Sequence, residues 1–73
     1  MTGTEWIRVF ARELDVPAPD EATVEQLLAL AGVAAHQSER TAAPIACYLV
    51  GMAGMDPARA AAAAAGVNEA DGS

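Results

Sequence analysis

A run of fourteen residues without a charged side chain, from Ala42 to Met55, constrains the fold of this chain more than any other feature. The run is too short to span a bilayer, because a membrane-spanning helix takes about 20 apolar residues. A helix that is apolar on every side needs burial over most of its surface. The sequence therefore predicts a helix over residues 42–55 that is covered on most sides.

Large side chains that would provide this cover are few. The 73 residues include nineteen alanines and three aromatic residues, and a chain this short is near the lower limit for a core that is stable alone. A single cysteine excludes an internal disulfide, and a single cysteine with a single histidine excludes a closed structural zinc site within one chain. Self-association or docking on another protein is the expected extra support.

The charge balance limits the classes of partner. Four basic and ten acidic residues give a net charge of −6, whereas nucleic acids and anionic membranes are bound by clustered Lys and Arg. The N-terminus lacks the basic segment and following apolar segment of a secretory signal. We therefore expect a soluble cytoplasmic protein that binds neither nucleic acid nor membrane.

Periodicity and capping signals predict helices and no strands. The first helix is predicted over residues 4–14, where apolar residues recur at helical spacing. A Thr2–Glu5 capping box precedes this segment, and Pro17 follows it. Trp6 is expected to anchor the core, the alternative being that it belongs to an exposed docking patch.

A central second helix is predicted over residues 24–38, beginning at a Thr23–Gln26 capping box. Leu30 lies at the edge of its predicted buried stripe, and Val33 lies outside it. The stripe itself consists of Val24, Leu27, Leu28, Ala31, Ala34 and Ala35.

Gly54 is expected to end or interrupt the third helix. Asp56 and Pro57 are a strong start signal for a short Ala-rich fourth helix that ends at Gly66. The fold class is therefore all-α, a small antiparallel helical bundle of three main helices plus a short Ala-rich fourth helix. One domain is predicted over residues 1–66, followed by a disordered tail over residues 67–73.

The residues best suited to bind a ligand lie at the junction between the second and third helices. His36 and Arg40 are four residues apart, so we expect them on one helix face, where the helix C-terminus favours cations. The Thr41 hydroxyl and the backbone N–H groups of Ala42 and Ala43 begin the third helix. Together with the basic pair they form a hypothetical site for a phosphate or carboxylate. The alternative is that His36 and Arg40 only stabilise the helix end.

A line of small residues, Ala43, Cys47 and Gly51, predicts a close helix-packing contact or a dimer seam. The apolar neighbours of Cys47 are typical of a buried structural thiol. Nothing in the sequence supplies an acid or an oxyanion hole for a Cys47–His36 pair. We expect no catalytic residue, no metal and no cofactor.

The residues of this junction resemble a known family. The run from Ala35 to Pro44, which contains His36 and Arg40, is similar to a small uncharacterised helical domain. That domain is found free-standing or as the C-terminal appendage of molybdenum cofactor guanylyltransferase-like proteins, the molybdopterin-guanine dinucleotide biosynthesis A family. The similarity extends upstream to Trp6.

The guanylyltransferase domain itself, with its Gly-rich nucleotide loop, is absent from this chain. The resemblance therefore implies a non-enzymatic accessory or interaction domain linked to molybdenum cofactor biosynthesis, with the guanylyltransferase as its partner at His36 and Arg40. The residues alone leave two alternatives open. One is a small anion- or cofactor-binding protein that uses the same corner, and the other is a homodimeric structural module sealed along Ala43, Cys47 and Gly51.

Overall fold

The computed structural model describes residues 1–67, and this part of the chain is all-helical, with four helices and no strand. The helices are α1 (Gly3–Glu13), α2 (Glu21–Gln37), α3 (Ala42–Ala53) and α4 (Pro57–Ala65). The predicted all-α class is confirmed. The antiparallel order and the division into three main helices and a short fourth stay predictions. The predicted tail, apart from Val67, lies outside the described residues.

Helix α1 begins with the predicted capping box. The Glu5 backbone N–H donates to the Thr2 hydroxyl oxygen, and the Thr2 backbone N–H donates to the Glu5 carboxylate, both at 3.1 Å. The hydrogen bond from the Thr2 backbone, and secondarily the one with its side chain, lowers the pKa of Glu5 because both favour the charged carboxylate. Two of the donors that every helix N-terminus leaves unpaired are thereby satisfied.

Helix α1 ends at a left-handed residue, Asp15, whose φ is 58°. The Val16 N–H donates to the Ala11 carbonyl and the Asp15 N–H donates to the Arg12 carbonyl, which is the Schellman pattern of a helix end. Glycine normally occupies this position, and Asp is among the few other residues that tolerate it. The end of α1 is therefore determined locally.

Helix α2 begins earlier than the sequence predicts. The N-cap is Asp20, whose carboxylate accepts a hydrogen bond from the Thr23 backbone N–H at 2.8 Å. This bond, with a smaller effect of the Thr23 side chain, lowers the pKa of Asp20. The predicted Thr23–Gln26 capping box is wrong because Asp20 caps Thr23 from the preceding turn, and Asp is a strong N-cap residue.

Helix α2 is the centre of the packed part of the molecule, because α3 and α4 both pack against it. Its most buried residue is Leu30, at 3% exposure, and Val33 is half-buried. Leu28, which the sequence places in the buried stripe, is 67% exposed. The other five residues of the predicted stripe are half-buried, so the prediction is wrong at Leu28. The covered surface is wider than the stripe and includes Leu30 and Val33, because α3 and α4 both pack on α2.

Helix α3 ends as expected at Gly54, whose φ of 62° is left-handed. The Met55 N–H reaches back to the Val50 carbonyl at 3.4 Å, again in the Schellman pattern. The next helix begins, as predicted, with Pro57 directly after Asp56.

Helix α4 depends on α2 for its order. An Ala-rich helix of this length is marginal in isolation, and the Asp56 side chain makes no capping hydrogen bond. Ala60 is buried, and the Gln37 side-chain amide of α2 donates to the Ala65 carbonyl at 3.3 Å. Tertiary contacts therefore hold this helix where local signals are weak.

Helix α1 makes few contacts with the other helices, and only Ala11 of its residues is buried. The radius of gyration is 13.1 Å, against about 11 Å expected for a compact chain of this length. The principal extents are 42 × 23 × 18 Å. The molecule is an elongated body with α1 at its periphery.

Candidate interaction surfaces

The predicted corner between α2 and α3 is open to solvent. Helix α2 ends at Gln37, so Arg40 lies in the turn that precedes α3 and does not continue the helix of His36. Both side chains are exposed. The shared helix face expected for His36 and Arg40 therefore does not form, and their role as binding residues stays a prediction.

The backbone donors of this corner are already engaged. The Ala42 N–H donates to the Glu39 carbonyl at 2.9 Å, and the Ala43 N–H donates to the Arg40 carbonyl at 3.1 Å. Thr41 directly precedes α3, as predicted, but its hydroxyl makes no capping hydrogen bond. The hypothetical anion site accordingly rests on exposed side chains rather than on a helix N-terminus, and it too stays a prediction.

The line of small residues on α3 spans two environments. Ala43 and Cys47 are half-buried on the flank toward α2, and the thiol of Cys47 is free. Gly51 is exposed, and a Cβ added there would meet no atom within 4 Å beyond its own helix backbone. Whether this line forms a dimer seam stays a prediction.

Residues 1–67 lack two features, a cluster of three or more metal-ligand side chains and a membrane-spanning helix. In this part of the chain no three His, Cys, Asp or Glu side chains come together in a way that would hold a metal ion. None of its helices has both the length and the hydrophobicity to cross a bilayer.

A cleft of about 340 Å³ lies between α1 and the start of α2, lined by Ile7, Arg8, Asp20 and Val24 among others. The Asp20 carboxylate in this cleft already accepts the capping hydrogen bond from Thr23. None of the polar residues that line the cleft, including Asp20, is buried. The cleft therefore provides no clear set of groups for catalysis or specific binding.

Two further surface features are apolar, and the first lies on α1. Trp6, Phe10 and Leu14 follow one another at four-residue spacing and are 54%, 46% and 57% exposed. This spacing aligns them on one side of the helix, and the rings of Trp6 and Phe10 are 4.9 Å apart between centroids. We call these three residues the aromatic face. The expectation of Trp6 as a core anchor is wrong, and the alternative of an exposed patch describes its position.

The second apolar surface lies on α3 and consists of Ile45, Tyr48, Leu49 and Met52, each 57% to 69% exposed. Their spacing of i, i+3, i+4 and i+7 places them on one face of the helix. We call these four residues the α3 stripe. The expected cover on most sides of α3 is not observed, since none of its residues is buried.

Sequence reasoning did not identify the α3 stripe as a distinct surface. In a helix without polar positions, apolar residues lie on every side. The spacing of apolar residues therefore cannot distinguish the side that packs from the side that is open to solvent. Side-chain size does not separate the two sides of α3 either. The half-buried residues include Val50 beside small ones such as Ala43 and Cys47, and the small residues Gly51 and Ala53 are exposed together with the stripe.

Residues 1–72 match the DUF6457 family, which is described as a domain of unknown function. The chain belongs to the DUF6457 family. This finding agrees with the resemblance to a small uncharacterised domain, and the family description carries no activity or partner. No curated protein and no solved structure matches the chain.

Proposed function

We propose that this DUF6457 domain is a non-enzymatic interaction domain whose apolar surface is completed by other protein chains. The observation that carries the proposal is an imbalance of burial among the described residues. The buried apolar residues are Ala11, Leu30 and Ala60, whereas fourteen large apolar residues are exposed. Contiguous exposed apolar patches on soluble proteins mark interaction sites.

The aromatic face of α1 is the surface we propose for a different protein. Trp and other aromatic side chains are the commonest anchors of interfaces, where they fill pockets on the partner. Glu13 borders this face, and the whole chain carries a net charge of −6. Charge complementarity then favours a partner with an apolar groove edged by Lys and Arg, into which α1 fits as an amphipathic helix.

The resemblance at the α2–α3 junction supports a narrower form of the proposal. In that form the partner belongs to molybdenum cofactor biosynthesis in the cytoplasm, with the molybdenum cofactor guanylyltransferase as first candidate. The exposed corner of His36 and Arg40 is a second contact with the same partner. No cofactor is bound by the chain itself in this proposal.

The test is a binding titration of the full chain with the purified guanylyltransferase. We expect Trp6→Ala to weaken binding by at least about tenfold, as truncation of an interface anchor does, and Arg40→Ala by about two- to fivefold, as for an exposed charge. Leu28→Ala, which removes an exposed apolar side chain from α2, is the matched control and leaves binding unchanged.

Two results would contradict the proposal at different levels. The concentration of about 100 μM is well above the Kd of weak interfaces, which lies in the micromolar range. No binding at this concentration would exclude this partner. Binding that survives Trp6→Ala unchanged would exclude the aromatic face as the contact.

A further inference from the structure

We propose that the α3 stripe joins two copies of this chain in a two-fold symmetric dimer, in which the two α3 helices run antiparallel. The inference goes beyond the proposed function and does not depend on it, because the stripe shares no residue with the aromatic face of α1.

The stripe is complementary to itself. In a two-fold interface, if residue i contacts residue j of the other copy, then j contacts i. An antiparallel crossing centred between Tyr48 and Leu49 satisfies this condition for the whole stripe. Ile45 then meets Met52 of the second copy, and Tyr48 meets Leu49. Every large apolar side chain of the stripe thereby faces another one.

The charge pattern favours this helix for contact between identical chains. Two copies with a net charge of −6 repel each other, so their contact needs a surface without acidic side chains. Residues 41–55 contain no Asp, Glu, Lys or Arg, whereas Glu13 borders the aromatic face. The α3 helix itself therefore presents no like charge to a second copy, and the nearest acidic residue is Glu39, which lies beside Ile45 at the N-terminal end of the stripe.

One acidic and one basic residue lie near each end of α3, with Glu39 and Arg40 before the helix and Asp56 and Arg59 after it. Arg40 lies two residues before the helix, Asp56 lies three residues after it, and both are exposed. Antiparallel packing brings the N-terminal end of one α3 beside the C-terminal end of the other. Arg40 of each copy is thereby placed close to Asp56 of its partner, which favours the antiparallel over the parallel arrangement.

The exposed area matches the need of such a dimer. The chain exposes 5634 Å², and a compact monomer of 7.4 kDa is expected to expose about 4,200 Å², which leaves an excess of about 1,400 Å². A standard interface takes about 800 Å² from each partner. The excess belongs to the whole chain, and it is large enough to include one contact of this size.

The experiment is sedimentation equilibrium of the full chain across a wide concentration range, with a reducing agent present so that Cys47 forms no intermolecular disulfide. We expect a reversible dimer of twice 7.4 kDa. Tyr48→Glu puts a carboxylate beside its own copy at the two-fold axis, and it should raise the dimer Kd by at least about tenfold. Leu28→Glu introduces the same charge at an exposed leucine of α2 and should leave the Kd unchanged.

A charge exchange at the helix ends tests the antiparallel arrangement without touching the stripe. Arg40→Asp alone and Asp56→Arg alone should each raise the dimer Kd about two- to fivefold. The double variant restores the opposite pair and should return the Kd toward that of the unchanged chain. Circular dichroism of each variant confirms that its helix content is retained.

Several outcomes would overturn the proposal. A monomer at every concentration excludes the dimer, and it does so whether or not the chain binds the guanylyltransferase. A dimer that is insensitive to Tyr48→Glu but lost on Trp6→Glu places the contact on α1, and one lost only on Gly51→Leu places it on the small-residue seam. Failure of the double charge variant to restore the dimer excludes the antiparallel arrangement.

Discussion

Helices α1 and α4 differ in what determines their order. Helix α1 has the reciprocal Thr2–Glu5 cap at one end and the left-handed Asp15 at the other, yet it packs little on the rest of the chain. Helix α4 consists mostly of alanine and has no side-chain cap, yet it packs along α2 with Ala60 buried. One helix is specified by its own ends, and the other by its neighbour.

This difference explains why the apolar surface of α1 remains open. A helix with both ends satisfied by local hydrogen bonds needs less support from packing. The aromatic face can then be presented to another protein without loss of the helix that carries it. Helix α4, by contrast, serves mainly to cover α2.

The stability of the packed helices α2, α3 and α4 should depend most on Leu30. We expect Leu30→Ala to lower the free energy of unfolding by about 2–4 kcal/mol, because it removes a buried side chain from the centre of α2. The control Leu28→Ala should change it by less than about 0.5 kcal/mol, since that leucine is exposed. Urea denaturation measures both. Equal effects of the two substitutions would show that the buried side of α2 is assigned incorrectly.

The contact between α4 and α2 is tested by enlarging a buried alanine. Ala60→Leu should cost about 1–3 kcal/mol in the free energy of unfolding, because the added side chain has no space between the helices. Ala62, two residues further along, is exposed, and Ala62→Leu should stay within about 0.5 kcal/mol. If thermal denaturation shows both variants to be equally tolerated, α4 does not pack as described.

The peripheral position of α1 predicts a small effect of its largest residue on stability. Replacing a fully buried Trp by Ala lowers the free energy of unfolding by about 3–5 kcal/mol. For Trp6→Ala we expect a loss of less than about 1 kcal/mol, because Trp6 is exposed. Since the chain has no other Trp, circular dichroism is the appropriate probe of unfolding for this variant. A loss comparable to that of Leu30→Ala would mean that α1 belongs to the core.

Acid should affect α1 before it affects α2. The pKa of Glu5 is lowered in the folded chain by its bonds with Thr2, and the pKa of Asp20 by its bonds with Thr23. A carboxylate with a lowered folded pKa stabilises the fold above its ordinary pKa, which is 4.5 for Glu5 and 3.8 for Asp20. This contribution is lost as the pH falls through the lower folded value. Below these ordinary values, α1 should lose helical order first because packing does not hold it.

Backbone chemical shifts measured by NMR during an acid titration follow each helix separately. Glu5→Gln is the control, because it removes the capping carboxylate of α1 and leaves that of Asp20 in place. An acid transition that begins at the start of α2 and spares α1 would contradict the assignment of local support to α1.

The features that sequence reasoning predicted correctly are those that depend on a few neighbouring residues. The Thr2–Glu5 cap, the end of α3 at Gly54 and the Asp56–Pro57 start are of this kind. They involve hydrogen bonds or dihedral angles that one short segment determines by itself. The sequence also contains the signal for the true cap of α2. Thr23 and Asp20 are both good cap residues, however, and spacing alone does not decide between them.

The features that it missed depend on which helix covers which. The covered surface of α2 includes Leu30 and Val33 and leaves out Leu28, because α3 and α4 both pack on α2, and no pattern within α2 contains that information. Trp is a residue type that is usually found in the core, but Trp6 lies on a helix that has few contacts with the other helices. His36 and Arg40 do not share a helix face because α2 ends at Gln37, before Arg40. Helix boundaries are the feature of a helix that a sequence specifies least.

The central claim is that the aromatic face of α1 is open in the free protein, and the single Trp of the chain reports on it directly. The measurement is the emission of Trp6 and its quenching by acrylamide in the full chain, at concentrations below and above dimer formation. The account predicts a solvent-exposed, readily quenched Trp6 in both the monomer and the dimer, since the dimer contact lies on α3. A Trp6 that is blue-shifted and protected from acrylamide even in the most dilute samples would contradict it.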